Sequence, residues 1–358
     1  MNKKIQDRNL FVRKKSKSPR MWRFFITFMA LLGFVYACIF LLPAVPKEPN
    51  VTGAPVYKIQ IKPQSSLASI AEQAYQQGIT SYPIFFQFSA RAIFVGTKLK
   101  PGTYLLPTGA SLGKMLLQIA RGDRVRESIA IIPGMTIWQL RDAIDSHPAM
   151  KHQTKGMNSK ELLQALNLNY SSLEGIFLPD TYIFDPDDLD IAIYRRASSA
   201  MQKALNQEWE RRDSNIPLKS PYELLILASI IEKETGRSED RGKVAAVFLN
   251  RLQKGMPLQT DPTIIYGIGP HFDGNLRKAD LRRDNPYNTY MHKGLPPTPI
   301  AMPSRESILA VLHPLKSNSL YFVAKGDGSS HFSSTLGEHE KAVDRYQRKS
   351  TSKEDQQK

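Results

Sequence analysis

Nineteen consecutive residues without a charge, from Phe24 to Leu42 (FFITFMALLGFVYACIFLL), constrain this chain more than any other feature. As a helix they span roughly 28 Å, close to the hydrocarbon thickness of a bilayer. A cleaved signal peptide has a shorter apolar region and a small-residue cleavage site. This run is long and bulky and ends in Leu41-Leu42-Pro43. A buried core helix is the alternative, and the flanking charge argues against it. Residues 1–23 carry nine bases and one acid, a local excess of +8, half of the whole chain's +16. By the positive-inside rule such a leader stays in the cytoplasm. The expectation is a single-pass anchor at 24–42, a basic cytoplasmic leader at 1–23 and an extracytoplasmic remainder.

That placement disposes of the signal in a pI of 9.7. A basic chain invites a nucleic-acid reading, but half the excess sits in the leader and the rest lies across a membrane. No nucleic-acid partner is expected, and a mildly basic exported part suits an anionic polymer. The one cysteine, Cys38, lies inside the apolar run. It excludes a disulfide framework and any cysteine-based zinc site. The 358 residues allow two or three domains.

Residues 43–56 are rich in proline and small residues and read as a linker. A pattern then recurs three times: YKIQIKP before Ser66, GTYLLP before Ser111, ESIAIIP before Thr136. Each is a short strand, a proline-marked turn, an N-capping hydroxyl and an amphipathic helix. Together they predict a small α+β module over 57–150. More helical pattern follows over 151–220, interrupted by the aromatic run LEGIFLPDTYIF (173–184), which is expected to pack in a core. A larger domain is expected over 151–345, and a polar, disordered tail over 346–358.

The stretch SPYELLILASIIEKETG predicts a helix from Pro221 to Thr235. Ser220 and Glu223 suit a capping box, Pro221 the first turn and Gly236 the stop. Ser238 is expected to cap a second helix ending near Gly255, so the two make a helical hairpin. At 100° per residue from Leu224, Glu232 falls at about 80°, Ser229 at about 140° and Lys233 at about 180°, a polar side. Glu234 falls at about 280°, between Ile230 and Leu227 on the apolar stripe. Lost hydration raises the pKa of a carboxylate there, and the negative end of the helix dipole adds to the effect. A general acid working at neutral pH needs that. The structural alternative is that Glu234 is a buried ion-pair partner, with Arg251 as one candidate.

Downstream come LQTDPTIIYGIG, with Gln259, Thr260, Asp261 and Tyr266, and NPYNTYMHKGLPPTPI, with Tyr287, Asn288, Thr289 and Tyr290. Amides, hydroxyls and tyrosines with few charges suit a sugar: they match its hydroxyl and acetamido groups and cover its apolar ring faces. Turn capping and core packing are the structural alternative for any single one. No phosphate-binding Gly-x-x-x-x-Gly-Lys loop, dinucleotide fingerprint or Gly-x-Ser-x-Gly elbow is present. The seven histidines show no metal-binding spacing, and His331 reads as a surface-loop residue. No metal is expected.

LASIIEKETG, VFLNRLQKGMPLQTDPTIIYGIG, NPYNTYMHKGLPPTPIAMPS and LYFVAKGDGSSHFSSTLGEH, with LEGIFLPDTYIF and LKPGTYLL, resemble the endolytic murein transglycosylases of the YceG-like family. The resemblance covers most of 57–345 in order. It implies an α+β chain with a LysM-like module at 57–150, then a mixed α/β catalytic domain whose helical hairpin carries the catalytic glutamate. It also implies a type II anchor in the bacterial inner membrane with the catalytic part periplasmic. The family's catalytic residue is the second glutamate of EKE, which is Glu234 here.

The implied reaction cleaves the β-1,4 bond between N-acetylmuramic acid and N-acetylglucosamine in peptidoglycan, leaving 1,6-anhydro ends without a cofactor. Gln259, Thr260, Asp261, Tyr266 and Asn288 are expected to hold the sugars or orient Glu234. Two alternatives stay open: a hydrolase pairing Glu234 with Asp261, and a non-catalytic membrane-anchored scaffold that binds peptidoglycan. A linker of about a dozen residues keeps the domain within tens of ångströms of the membrane. The expected substrate is therefore nascent glycan beside peptidoglycan synthases, with termination of strand elongation as the outcome.

Overall fold

The computed structural model describes residues 19–213 and 215–348. The expectations for the leader up to residue 18 and for the tail beyond 348 lie outside the described residues. The chain divides into two compact bodies, with the break between Arg126 and Glu127.

The first body begins with helix α1 (Pro19–Leu41). It is the one helix among the described residues that is long and apolar enough to cross a membrane, with a mean hydropathy of 2.5. Strand β1 (Val56–Ile61) and helices α2 (Leu67–Gln76) and α3 (Pro83–Ala92) follow. Strand β2 (Gly102–Pro107) and helix α4 (Leu112–Arg121) complete the body. β1 and β2 pair antiparallel, Val56 opposite Pro107 and Ile61 opposite Gly102. The capping hydroxyls act as the pattern required: Ser66 Oγ accepts from Ser69 N at 3.2 Å and Ser111 Oγ from Lys114 N at 3.4 Å. Ile59, Ile61, Ile70, Phe86, Tyr104, Leu106 and Leu116 fill one core. Each such side chain contributes about 1.5–3 kcal/mol by leaving water.

The second body opens with β3 (Glu127–Ile131), α5 (Ile137–Asp145) and α6 (Ser159–Leu166). β4 (Asp180–Phe184) and the long α7 (Ile191–Glu210) follow. Next come α8 (Pro221–Glu234), α9 (Ser238–Gln253) and α10 (Asp261–Ile268). A 3₁₀ turn at Asp280–Arg282 leads to α11 (Arg305–Leu312), the hairpin β5 (Tyr321–Ala324) and β6 (Ser330–Ser333), and α12 (Leu336–Val343). A π-helical turn, Asp344–Arg348, carries ordered backbone three residues into the expected tail.

The domain boundary expected at residue 150 needs correction. β3 does not join β1 and β2; it pairs antiparallel with β4, Glu127 opposite Phe184 and Ile131 opposite Asp180. The third strand–turn–helix unit looks like the first two locally, but its strand partner lies about fifty residues downstream. Gly175 fixes the approach to β4: its φ is +78°, and a Cβ there would lie 2.5 Å from Pro299 Cβ.

Candidate functional site

Helix α8 is the spine of the second body. Ser220 Oγ accepts from Glu223 N at 3.2 Å, and the Glu223 carboxylate reaches back to Lys219 N at 2.6 Å rather than to Ser220. The capping box is thus displaced by one residue. Leu224 through Ile231 are all buried, so the middle of the helix has no solvent face. Ser229, placed by the wheel on a polar side, is fully buried and accepts from Ile300 N at 3.0 Å. The helix ends at Glu234; Thr235 is extended (φ −144°, ψ 127°), and Gly236 supplies no left-handed cap.

The two glutamates of EKE face different segments. Glu232 Oε2 accepts from Ser304 N at 2.8 Å, from Ser307 Oγ at 2.7 Å and from the Ser304 hydroxyl. It holds down the start of α11. Glu234 looks toward residues 257–261, and its Oε1 accepts the Thr260 hydroxyl. Burial pushes its carboxyl above the ordinary range and neighbouring Asp261 adds to this, while the Thr260 bond and Arg251 pull the other way.

The facing segment is held by Arg251 on α9. Its Nε donates to Leu320 O at 2.6 Å, and its Nη1 donates to Leu258 O at 2.8 Å and to Gln259 Oε1 at 3.3 Å. No ion pair joins Arg251 to Glu234 among the described residues, so the structural alternative for Glu234 does not hold in that form. Gln259 takes a left-handed backbone (φ +51°), uncommon for a residue with a side chain, and its N–H donates to Thr289 O at 3.1 Å. Thr260 N donates to Thr289 Oγ1 at 3.1 Å, and Thr263 Oγ1 donates to Thr260 O at 2.7 Å. The clamp sets the Thr260 hydroxyl against Glu234.

Glu234 opens on a cavity of about 390 Å³ whose lining includes Gln259, Asp261, Tyr290, Tyr321 and His339. The Tyr290 hydroxyl donates to Asp261 Oδ1 at 2.7 Å. A desolvated carboxyl beside a polar cavity with aromatic walls can give and take a proton on a ring-shaped, uncharged ligand.

Of the residues expected from sequence, Gln259, Thr260 and Asp261 come together around Glu234. Asn288 and Tyr266 do not line the cavity. Asn288 is buried and spends its amide on the carbonyls of Asp280, Leu281 and Arg283, while its oxygen takes Tyr290 N. It shapes the loop that carries Tyr290. Tyr266 stacks on Trp138 at 5.0 Å, meets Tyr287 edge-on at 4.9 Å and bonds to Glu174. His331 lies in β6, its ring 5.7 Å from that of Tyr346.

Glu174 had no part in the sequence reading, although a lone carboxylate in an aromatic, apolar run could have raised it. It is fully buried, and both its oxygens accept Ile137 N, at 3.1 and 3.0 Å. Burial pushes its carboxyl up to about 7; the Ile137, Tyr266 and Gly175 bonds and Lys233 act in the opposite sense. A raised folded-state pKa means that the folded chain holds a proton which the unfolded chain releases between about 4.5 and 7. Stability therefore declines as pH rises through that window and is level above it. The loss is on the order of 3 kcal/mol. Urea midpoints of wild type and Glu174→Gln from pH 4 to 8 should diverge across the window, the variant gaining; parallel curves would refute the assignment.

One cluster among the described residues brings metal-ligating atoms together: Asp145, His152 and Asp190, all within 4.8 Å. Asp190 is already saturated, accepting from Gln153 N, Thr154 N, Ile191 N and the Thr154 hydroxyl. It works as a loop clamp at the start of α7, with no lone pair left for an ion.

Comparison with known proteins fits this geometry. Residues 59–345 match the model of the YceG-like family. The chain is 33% identical over 326 residues to the endolytic murein transglycosylase of Bacillus subtilis, covering 86% of this chain and 88% of that protein. It is 27% identical over 360 residues to the endolytic murein transglycosylase of Streptococcus pneumoniae, covering 89% of this chain and 64% of that one. A crystal structure of a YceG-like protein from Listeria monocytogenes, 30% identical, superposes with a TM-score of 0.50 over 80% of this chain and 98% of its own. With the family match running through both bodies and across the Glu234 cavity, the chain belongs to the YceG-like family.

Proposed function

We propose that this protein is a membrane-anchored lytic transglycosylase that cleaves the β-1,4 bond between N-acetylmuramic acid and N-acetylglucosamine within peptidoglycan strands. The observation that carries the proposal is the Glu234 carboxyl. It is desolvated, sits at the carbonyl end of α8, is held by the Thr260 hydroxyl and opens on the polar cavity. The relatives named endolytic murein transglycosylase supply the substrate class.

In the proposed mechanism Glu234 starts protonated. It gives its proton to the glycosidic oxygen as the bond from that oxygen to C1 of the muramic acid breaks. The C6 hydroxyl oxygen of the same sugar attacks C1, and its proton passes to the Glu234 carboxylate. The acid is regenerated, no water is consumed and a 1,6-anhydro ring closes. The attack is intramolecular, which removes much of its entropic cost, and one carboxylate serves both steps. Gln259 and Asp261 hold the sugars, Thr260 orients Glu234, and Asn288 and Tyr266 act at one remove by shaping the loops around the cavity.

Anchoring by α1, with the N-terminus cytoplasmic and the second body periplasmic, places the enzyme beside nascent strands and their synthases, where cleavage terminates elongation. The first body, a two-stranded sheet with helices packed on it, is the LysM-like module in this scheme.

Asp261 on the same cavity favours a second reading, hydrolysis by two carboxylates. Mass spectrometry of digested peptidoglycan separates them: transglycosylase products are lighter by one water than reducing-end fragments. Asp261→Asn sharpens the choice. Under the transglycosylase reading it removes a charge that opposes ionisation of Glu234. The variant stays active within about tenfold, and the alkaline limb of its kcat/KM profile moves to lower pH. Loss of about a thousandfold or more would favour the hydrolase.

A further inference from the structure

Helix α3 buries one face and leaves another apolar face bare. Phe86 and Ala90 are fully buried in the core of the first body, whereas Ile84 is 81% exposed, Phe85 43% and Phe88 51%. Tyr82 before the helix and Phe94 after it are 73% and 80% exposed. At 100° per residue Ile84, Phe85 and Phe88 share one outward sector, with exposed Arg91 at its edge. Tyrosine, phenylalanine and arginine on one side of a short helix are what a membrane interface selects.

The length of α1 says which surface this face meets. The Tyr36 hydroxyl donates to Ala92 O at 2.8 Å, Ile39 is fully buried, and the Phe40 ring lies over Gly113. From Tyr36 onward, then, the apolar helix is packed against α3 and α4. Only twelve uncharged residues, Phe24 to Val35, stand between Arg23 and that junction. They reach about 18 Å, well short of the roughly 30 Å of a hydrocarbon layer. A span of sufficient length must use the docked turns as well, so the part of the body beside those turns lies at the depth of the lipid. The end of α3 is that part.

We propose that the outward face of α3, flanked by Tyr82 and Phe94, is seated in the lipid at the foot of α1, so that the first body lies on the bilayer rather than swinging above it. This rests on the reading of α1 as a membrane span. Residues 44–126 carry ten bases and three acids, so the lipid favoured is an anionic phospholipid. The buried depth is that of an interfacial helix, about 5–10 Å.

The test uses the full chain with Cys38→Ala as background, in nanodiscs of mixed zwitterionic and anionic phospholipid. Single cysteines at Ile84→Cys and Phe88→Cys, with Phe28→Cys in α1 and Glu72→Cys at an exposed position of α2 as references, carry a nitroxide label. Collision rates with oxygen, which concentrates in lipid, and with a nickel chelate, which stays in water, are read by electron paramagnetic resonance. Labels at 28, 84 and 88 should favour oxygen severalfold over the chelate, and the label at 72 should favour the chelate. A label at 28 in lipid with 84 and 88 in water overturns the seat and leaves the anchor standing. A label at 28 in water overturns both. Labels at 84 and 88 shielded from both reagents overturn the seat in favour of a protein cover, such as a second copy of the chain.

Discussion

Glu234→Gln is expected to lower kcat/KM on peptidoglycan by about 10³-fold, a loss of roughly 4 kcal/mol of transition-state stabilisation. The amide keeps the shape and still accepts from Thr260, but it has no acid proton to give. The same substitution should not destabilise the fold. The pKa of Glu234 is raised by burial first and by Asp261 second. The folded state therefore resists the ionised form, and that penalty grows as pH climbs from the unfolded value through the raised one. Above that window Gln removes the penalty, so the variant's melting temperature should equal or exceed that of wild type. In wild type, kcat/KM should fall as pH rises through the raised pKa, because the protonated acid disappears. The measurement is anhydro-product formation across pH, with a thermal melt of each protein. No product from either folded protein would leave a non-catalytic scaffold; a variant as active as wild type would take the chemistry away from Glu234, and one that is inactive and unfolded would make Glu234 a structural residue.

What sequence could reveal here followed local physics. The apolar run became α1, and Ser66 and Ser111 capped the helices that their positions announced. Pairing did not follow: nothing within ESIAII distinguishes a partner in GTYLLP from one in DTYIF, so β3 was grouped with the wrong strands. The helical wheel set Glu234 apart from Glu232, but its premise was incomplete. It assumed one buried stripe, whereas α8 is buried all round through its middle, and each glutamate faces a different packed segment. Proximity along the chain brought Gln259 and Asp261 to the cavity wall and buried Thr260 against Glu234, because all three sit where the chain passes from α9 into α10. It could not show that the Asn288 amide is consumed by three carbonyls, or that Tyr266, about a turn and a half beyond Asp261, belongs to the Glu174 cluster. Those depend on what the rest of the fold brings near.

Glu232→Ala separates structure from chemistry within the same motif. Three donors from two residues converge on Glu232 Oε2: the amide and hydroxyl of Ser304, the N-cap of α11, and the hydroxyl of Ser307 in its first turn. Both serines are buried, Ser307 fully, so removing the carboxylate leaves hydroxyl and amide donors away from water without an acceptor. Hydrogen bonds to a charged acceptor contribute about 1.5–3 kcal/mol each and are not additive at one oxygen, which puts the loss at about 3–4 kcal/mol. For a body of this size that lowers the melting temperature by roughly 10 °C. Glu232→Gln, which still offers one acceptor oxygen, should lose less than half as much. Neither variant touches the cavity, so activity per folded molecule should stay within severalfold of wild type at a temperature where both are folded. An unchanged melting temperature would refute the clamp. A stable but inactive Glu232→Ala would move the chemistry from the second glutamate of the motif to the first.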